Sequence, residues 1–519
     1  MAIVVAISKY SPPAAVQTGM PKRFASMKTV SRTASPAHIP RKSLLLAVAA
    51  ALTLGGCAHL PGGVSPLSRR IEANTLHAGR AIRAAGKKPS PWPSQRWWEM
   101  YHDPQLNRLV AEAIAGSPAV RIAQARIARV QAFAGIARSR LLPSLKADAR
   151  FTRERFTENQ FIPPPYAGNW SWDNLAMLDF TYDLDLWGKN RSALAAALDY
   201  VQMAGAEAQE VRLALETAVV RVYVQLSLQY TMLDIAEATL RQRQEILEIS
   251  QERFAAGLAT ELDLSQAEAP LPAGRAEIER ISETIDLLRN QLAALAGKGP
   301  GDGEHIRRPA LSLDRPVGLP SVLPADLLGR RPDVAAERWR VEAAGNEIDA
   351  AKAAFYPNIN LTAFAGWQSL GFSQFLSPGS LIQGFGPAIS LPIFAGGRLR
   401  SQLRVSVADY DMAVEAYNGT LIRALENVAN QVVSLHSLET QRVEANSSDT
   451  LARRSYDIAL TAFRAGLTDY LNVLNAQNLT LREAQRKAQV EARILDTYAA
   501  LMQAIGGGVP LTPPAGAGS

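Results

Sequence analysis

Apolar and polar side chains alternate along residues 145–152. Leu145, Ala147, Ala149 and Phe151 share one face, and Lys146, Asp148, Arg150 and Thr152 the other. A second stretch sets Leu178, Phe180, Tyr182, Leu184 and Leu186 against Asp179, Thr181, Asp183 and Asp185. Ile359, Leu361, Ala363, Ala365 and Trp367 share a face further on, as do Ile389, Leu391 and Ile393. This period of two predicts a pair of β-hairpins, each with one apolar and one polar face. Such strands fit a soluble sandwich or a membrane barrel. Asp179, Asp183 and Asp185 on one face need water, which a transmembrane barrel supplies in its lumen. Trp170, Trp172, Trp187 and Trp367 near the strand ends suit an interfacial girdle and equally suit an ordinary core. Four strands cannot close a barrel, and lipid does not tolerate open strand edges. Membrane-spanning strands here therefore require several protomers to share one barrel.

Between the hairpins the pattern changes period. Residues 190–256 contain no proline and a single interior glycine, Gly205. About sixty-five helical residues reach roughly 100 Å. Val201, Ala204, Ala208, Val211, Leu215, Ala218 and Val222 step by threes and fours, a heptad seam whose alanines allow close helix approach. Leu403, Val407, Tyr410, Val414, Tyr417 and Leu421 repeat that seam. Return helices are expected over about 260–296 and 468–505, after turns at Gly257 and Gly466, whose permissive backbone suits a tight helix–helix turn. Pro270 and Pro272 fall inside the first return helix, so a kink or break is expected two to three turns past Gly257.

These parallels amount to an internal repeat at an offset of about 209 residues. RFAAGLATELDLSQAEA (253–269) aligns with AFRAGLTDYLNVLNAQN (462–478), and DLDLWGKNRS (183–192) with SLPIFAGGRLRS (390–401). The body is two copies of one unit, 103–298 and 326–508, joined by a Gly/Pro-rich connector, 299–325, and followed by a short tail, 509–519. Each unit reads as a short helix, an extended hairpin, and two long helices joined by a tight turn.

Charge changes the picture at the amino end. The chain of 519 residues carries a formal charge of +7. Residues 1–56 hold seven basic side chains, from Lys9 to Lys42, and no acid. Removing those seven from the 55 basic residues leaves 48, against 48 acidic ones. The basic excess belongs to the leader, which removes nucleic acid as a partner. Arg41-Lys42 followed by the apolar run Ser43–Leu54 reads as a secretory signal, too short to span a bilayer. Met27 is the expected true initiator. Leu54-Gly55-Gly56-Cys57 resembles a bacterial lipobox, which implies a lipid on Cys57, the only cysteine of the chain. Ala58, rather than an aspartate, follows it, which by resemblance to lipoprotein sorting favours the outer membrane.

Candidate enzyme chemistry is sparse. The six histidines, at 38, 59, 77, 102, 305 and 436, form no HExxH pattern. His102-Asp103 reads as a helix cap rather than a catalytic dyad.

WWEMYHDPQLNRLVAEAI (97–114), LPADLLGRRPDVAAERWRVEAAGNEIDAAKAAFYPNINL (323–361) and LPIFAGGRLRSQL (391–403) resemble recurrent segments of TolC-type outer-membrane efflux proteins. The resemblance is to the NodT-like lipoprotein branch and covers nearly the whole mature chain. It implies a mainly α fold with a small β part, built as a homotrimer. Twelve strands form one outer-membrane barrel above a periplasmic tunnel of coiled helices, with residues 57–102 wrapping the equatorial region. It also implies an iris at the turns around Gly257 and Gly466, closed by acidic residues just past them. In the first unit that position falls on Asp263. In the second unit the acidic pair of TolC falls on Asn472 and Asn475, and a basic closure partner falls on Thr468. The charge latch is thus partial. Asp263, Asp469, Asn472 and Asn475, with Leu471 and Leu474 nearby, are the expected gate, unless they are simply solvated turn residues. The implied function is a passive exit duct working with a periplasmic adaptor and an inner-membrane RND transporter. No cofactor is implied beyond the lipid on Cys57. A type I protein-secretion duct and a non-conducting coiled-coil lipoprotein are the alternatives.

Overall fold

The computed structural model describes residues 64–72, 75–76, 92–313 and 330–508. The leader, Met27, the lipobox with Cys57, part of the connector and the tail 509–519 lie outside the described residues. In chain order the elements are α1 (Pro104–Gly116), α2 (Pro118–Ser139), β1 (Ser144–Arg155), β2 (Trp170–Asp183), α3 (Lys189–Ala255), α4 (Glu261–Glu268) and α5 (Pro270–Leu295). The second half follows with α6 (Pro332–Ala353), β3 (Asn358–Leu370), β4 (Leu381–Ser390), α7 (Arg398–Arg464) and α8 (Tyr470–Ala504). The fold is mainly helical with one small antiparallel sheet.

Helices α3 and α7 are each 67 residues long, which at the helical rise is about 100 Å. Their heptad positions face inward. Leu403, Val407, Val414, Tyr417 and Leu421 are buried on α7, as are Ala204 and Leu215 on α3. The first return helix loses two ladder hydrogen bonds at Pro270 and Pro272 and divides into α4 and α5 at Ala269, which itself keeps helical dihedrals, φ −54° and ψ −36°.

The strands form a single sheet in the order β1-β2-β3-β4, all antiparallel. Phe151 lies opposite Asn174, Ala176 opposite Trp367, and Ala363 opposite Phe385, so the alternating faces continue across all four strands. One face carries Lys146, Asp148, Arg150, Asp173 and Asp179; the other carries Leu145, Leu178, Phe180, Leu361 and Phe385. Strands β1 and β4 both have an unpaired edge within the protomer. Trp170, Trp172, Trp187 and Trp367 are all exposed, which separates them from the core.

Two strand ends differ from the alternation. β2 stops at Asp183; Leu184 N–H still bonds the Ile359 carbonyl of β3 at 3.1 Å, and Asp185 and Leu186 leave the sheet. Asp185 takes a left-handed backbone, φ 43°. Its carboxylate accepts the backbone N–H groups of Asn190 and Arg191 at 2.8 and 2.9 Å. The first turn of a long helix has unpaired N–H donors, and Asp185 is used there rather than in the lumen. β4 ends at Ser390, so Leu391 and Ile393 are not strand residues; Pro392 between them has no N–H to extend the ladder.

The main core sits where α1 meets the middle of α3 and the end of α8. It gathers Trp97, Tyr101, Leu106, Tyr223, Leu292 and Tyr498. Asp103 is buried there and caps α1 by accepting from Gln105 and Leu106. It also accepts the Tyr223 hydroxyl and the Ala310 N–H, both at 2.8 Å. Asp103 is a structural hub with every bond accounted for.

Residues 64–72 lie along α7. Asp411 accepts the N–H groups of Leu67 and Ser68 at 3.0 and 2.9 Å. Asn418 accepts from Ile71 N–H at 2.9 Å and donates to the Arg69 carbonyl at 3.0 Å. The two side chains are seven residues apart on one helix face, so they bond successive stretches of the same extended segment.

Candidate channel mouth at the hairpin turns

Both long hairpins turn by the same device. Gly257 has φ 73°, as has Gly466. Leu258 N–H reaches the Arg253 carbonyl at 2.8 Å and Gly257 N–H the Phe254 carbonyl at 3.0 Å. Leu467 N–H to Ala462 and Gly466 N–H to Phe463 repeat the pattern at 2.9 and 3.0 Å. This is a Schellman motif, in which a left-handed residue lets the last helical carbonyls find donors.

The next helices begin with side-chain caps. Thr260 and Asp263 form a capping box on α4. Asp263 accepts both the N–H and the hydroxyl of Thr260, at 2.8 and 2.7 Å. Those bonds, the backbone one first, hold its carboxyl below the ordinary carboxylate value. Asp469 caps α8 by accepting from Asn472 N–H at 3.1 Å. The Asn472 amide donates to Thr468 Oγ1 and to Asp469 Oδ1, both at 2.9 Å. Leu471 and Asn475 are exposed, and Leu474 packs on the tip core.

The candidate gate residues thus fall into two local clusters, one in each turn. Asp263 and Thr260 form the first; Thr468, Asp469 and Asn472 form the second. Among the described residues no hydrogen bond joins one cluster to the other. The bonds between the turns come from side chains that no motif singled out. Arg253 donates to the Phe463 carbonyl at 3.0 Å and lies 4.9 Å over the Phe463 ring. Tyr470, almost fully buried, donates to the Gln266 carbonyl at 3.3 Å. Burial pushes the Tyr470 hydroxyl above its ordinary pKa, so it remains a donor. Beneath these bonds Ile246, Ala267, Tyr456, Phe463, Tyr470 and Val473 form a separate apolar cluster. Leu258, Leu262, Leu467 and Leu471 project from the tips, each more than half exposed. Among the described residues no group of His, Cys, Asp and Glu has a metal-ligating arrangement. No described helix is long and apolar enough to cross a membrane.

The sequence profile of the outer membrane efflux protein family matches residues 109–298 and again 323–507, one span on each hairpin-bearing half. The chain belongs to that family. It is similar to the fusaric acid resistance protein FusA of Burkholderia cepacia, with 47% identity over 70% of this chain and 68% of the relative. It is also similar to the multidrug resistance outer membrane protein MdtP of Escherichia coli K12, at 30% identity over 91% of this chain and 97% of MdtP. Among solved structures, the outer membrane protein VceC of Vibrio cholerae superposes with a TM-score of 0.76 at 36% identity, covering 80% of this chain and all of that one. With this family membership and this fold, the protein is an efflux channel of the outer membrane. The sheet forms its membrane part and the long helices its periplasmic part.

Proposed function

We propose that three copies of this chain form a passive exit duct that receives small toxic compounds from an inner-membrane RND transporter through a periplasmic adaptor. The observation that carries this reading is the four-stranded sheet whose mid-strand charges, Lys146, Asp148, Arg150, Asp173 and Asp179, share one face, with a mainly apolar opposite face and an unpaired edge on each side. Such a sheet is stable in lipid only when neighbouring copies pair those edges into a closed barrel. The two repeats, 103–298 and 326–508, each give that barrel one hairpin and give the tunnel one long helical pair. Resistance to drugs and to fusaric acid, named for the relatives, supports small-molecule cargo. The protein performs no covalent chemistry and needs no cofactor beyond a lipid.

A lipid on Cys57 anchors the amino end. In support, Val64 packs against the cluster of Ile348, Phe355, Leu403 and Val407. That cluster lies at the end of the helices from which the strands rise, the side on which a membrane anchor is useful. Mass spectrometry of the mature protein is expected to find an acylated Cys57 at the amino terminus; an unmodified or internal Cys57 overturns the anchor.

The hairpin turns close the resting duct. Asp263, Thr468, Asp469 and Asn472 shape the two turns through their caps, and Leu471 and Asn475 line the mouth. Purified protein is expected to run as a heat-modifiable trimer and to conduct ions in planar bilayers. A trimer that never conducts, with or without substitutions at the turns, leaves a coiled-coil stalk instead.

A further inference from the structure

The two prolines of the first return helix leave a defect that the second repeat fills. Pro270 and Pro272 have no N–H, so the carbonyls of Gln266 and Glu268 lose their ordinary helical donors. The Gln266 carbonyl receives the Tyr470 hydroxyl instead, at 3.3 Å. On the other side of the break, Arg243 Nη1 of α3 donates to the Pro270 carbonyl at 3.2 Å. One donor from each neighbouring helix therefore holds each side of Ala269.

The pieces on either side of the break differ in how firmly they are held. α4 has eight residues and buries one of them, Ala267. α5 buries Leu271, Ile281, Ile285, Leu292 and Ala293. Gly274 of α5 lies so close to α3 that a Cβ there would stand 3.2 Å from Leu240. A short segment with few buried contacts is the kind that opens locally. The second repeat has no counterpart, because α8 runs unbroken for 35 residues from Tyr470.

We propose that the Ala269–Pro270 break is a hinge on which α4 swings to open the mouth, that Tyr470 is the positioning residue that latches α4 in the seated state, and that Arg243 fixes the α5 side of the hinge. The inference rests on the turns forming the channel mouth and adds where they bend. Opening in the first repeat is movement of one short helix, not of the whole hairpin. The latch bond lies between repeats, so movement of α8 in the second repeat releases α4 in the first.

The test is a double-mutant cycle on full-length trimers in planar bilayers, with amide hydrogen exchange of residues 261–268 followed in parallel. Tyr470→Phe keeps the buried ring and removes only the hydroxyl. It is expected to raise open probability roughly five-fold, the effect of losing one hydrogen bond of ordinary strength, and to speed exchange across α4. Pro270→Ala with Pro272→Ala returns helical donors to Gln266 and Glu268. In that background Tyr470→Phe is expected to change neither measurement. An equal effect in both backgrounds overturns the hinge, as does unchanged exchange across α4 in the native background. Arg253→Ala, which unties the two turns by a different bond, separates the two levels. If it raises conduction while Tyr470→Phe does not, the hinge falls and the mouth stands. If exchange rises as expected and neither variant alters conduction, the mouth is elsewhere and the hinge falls with it.

Discussion

At the scale of single residues, the family pattern places an acid past the first turn, at Asp263, and finds Asn472 and Asn475 past the second; in the structure Asp263 and the neighbouring Asp469 serve as helix caps. Arg253 is the better candidate for holding the turns together, because it reaches a residue 210 positions away with its hydrogen bond and its ring contact. Arg253→Ala removes a charge-assisted bond at a half-buried site, worth about 1.5 kcal/mol, or roughly a ten-fold shift between closed and open mouths. The expected readout is greater single-channel conduction and greater sensitivity of cells to large antibiotics, with Arg253→Lys giving a smaller change because an ammonium cannot cover both the carbonyl and the ring face. Asp263 predicts a pH dependence. Its folded-state pKa is depressed below the ordinary 3.8 by the Thr260 bonds. The cap's contribution is therefore complete above the ordinary value and is lost as pH falls through the lower, folded-state one. Hydrogen exchange across α4 is expected to stay slow until acid is taken below that ordinary value, and Asp263→Asn is expected to abolish the pH step.

At the scale of elements, the turn glycines carry a defined cost. Both sit at a φ that an L side chain adopts only with strain. Gly466→Ala is thus expected to destabilise its hairpin by about 1 kcal/mol while leaving the α7 and α8 boundaries in place. Fragment-resolved exchange at the second turn checks it, and an unchanged rate there contradicts the assignment. The elements themselves were largely legible, because their signals are local and periodic. The alternation from Leu145 to Phe151 marks a strand, the seam from Leu403 to Leu421 a helix, and Pro270 a break. Legibility failed where a residue's job is set by its neighbour in space. Asp185 continues the alternation of β2, yet the unpaired N–H groups of α3 take its carboxylate. Tyr470 and Arg253 follow Schellman turns or precede them like any helix residue, and no spacing in the chain announces that each bonds to the other repeat. The same holds for Asp411 and Asn418, whose role is to bind the backbone of residues 64–72.

At the scale of the whole molecule, the alternation of β4 distinguishes lipid from lumen without any view of the assembled trimer. Phe385 lies opposite Ala363 and shares a face with Leu361, Ala365 and Trp367. It is 94% exposed in the single protomer, which an aqueous surface does not favour and a bilayer does. Ala388, three residues on, lies opposite Asn360 on the face that carries Asp179 and Thr181. Arginine at the two positions should therefore behave oppositely. Phe385→Arg places a charge in hydrocarbon and is expected to cost about 2–4 kcal/mol if the site is near mid-membrane. Its measure is a loss of heat-resistant trimer and a lower unfolding midpoint in lipid. Ala388→Arg places the same charge in water, so trimer and midpoint are expected to persist. The added positive charge then acts on the passing current, and is expected to shift selectivity toward anions on a face where Asp148, Asp173 and Asp179 stand beside Lys146 and Arg150. Should both substitutions leave stability and selectivity alone, the sheet does not line a membrane pore. If Ala388→Arg is the one that abolishes the trimer, the two faces have been assigned the wrong way round.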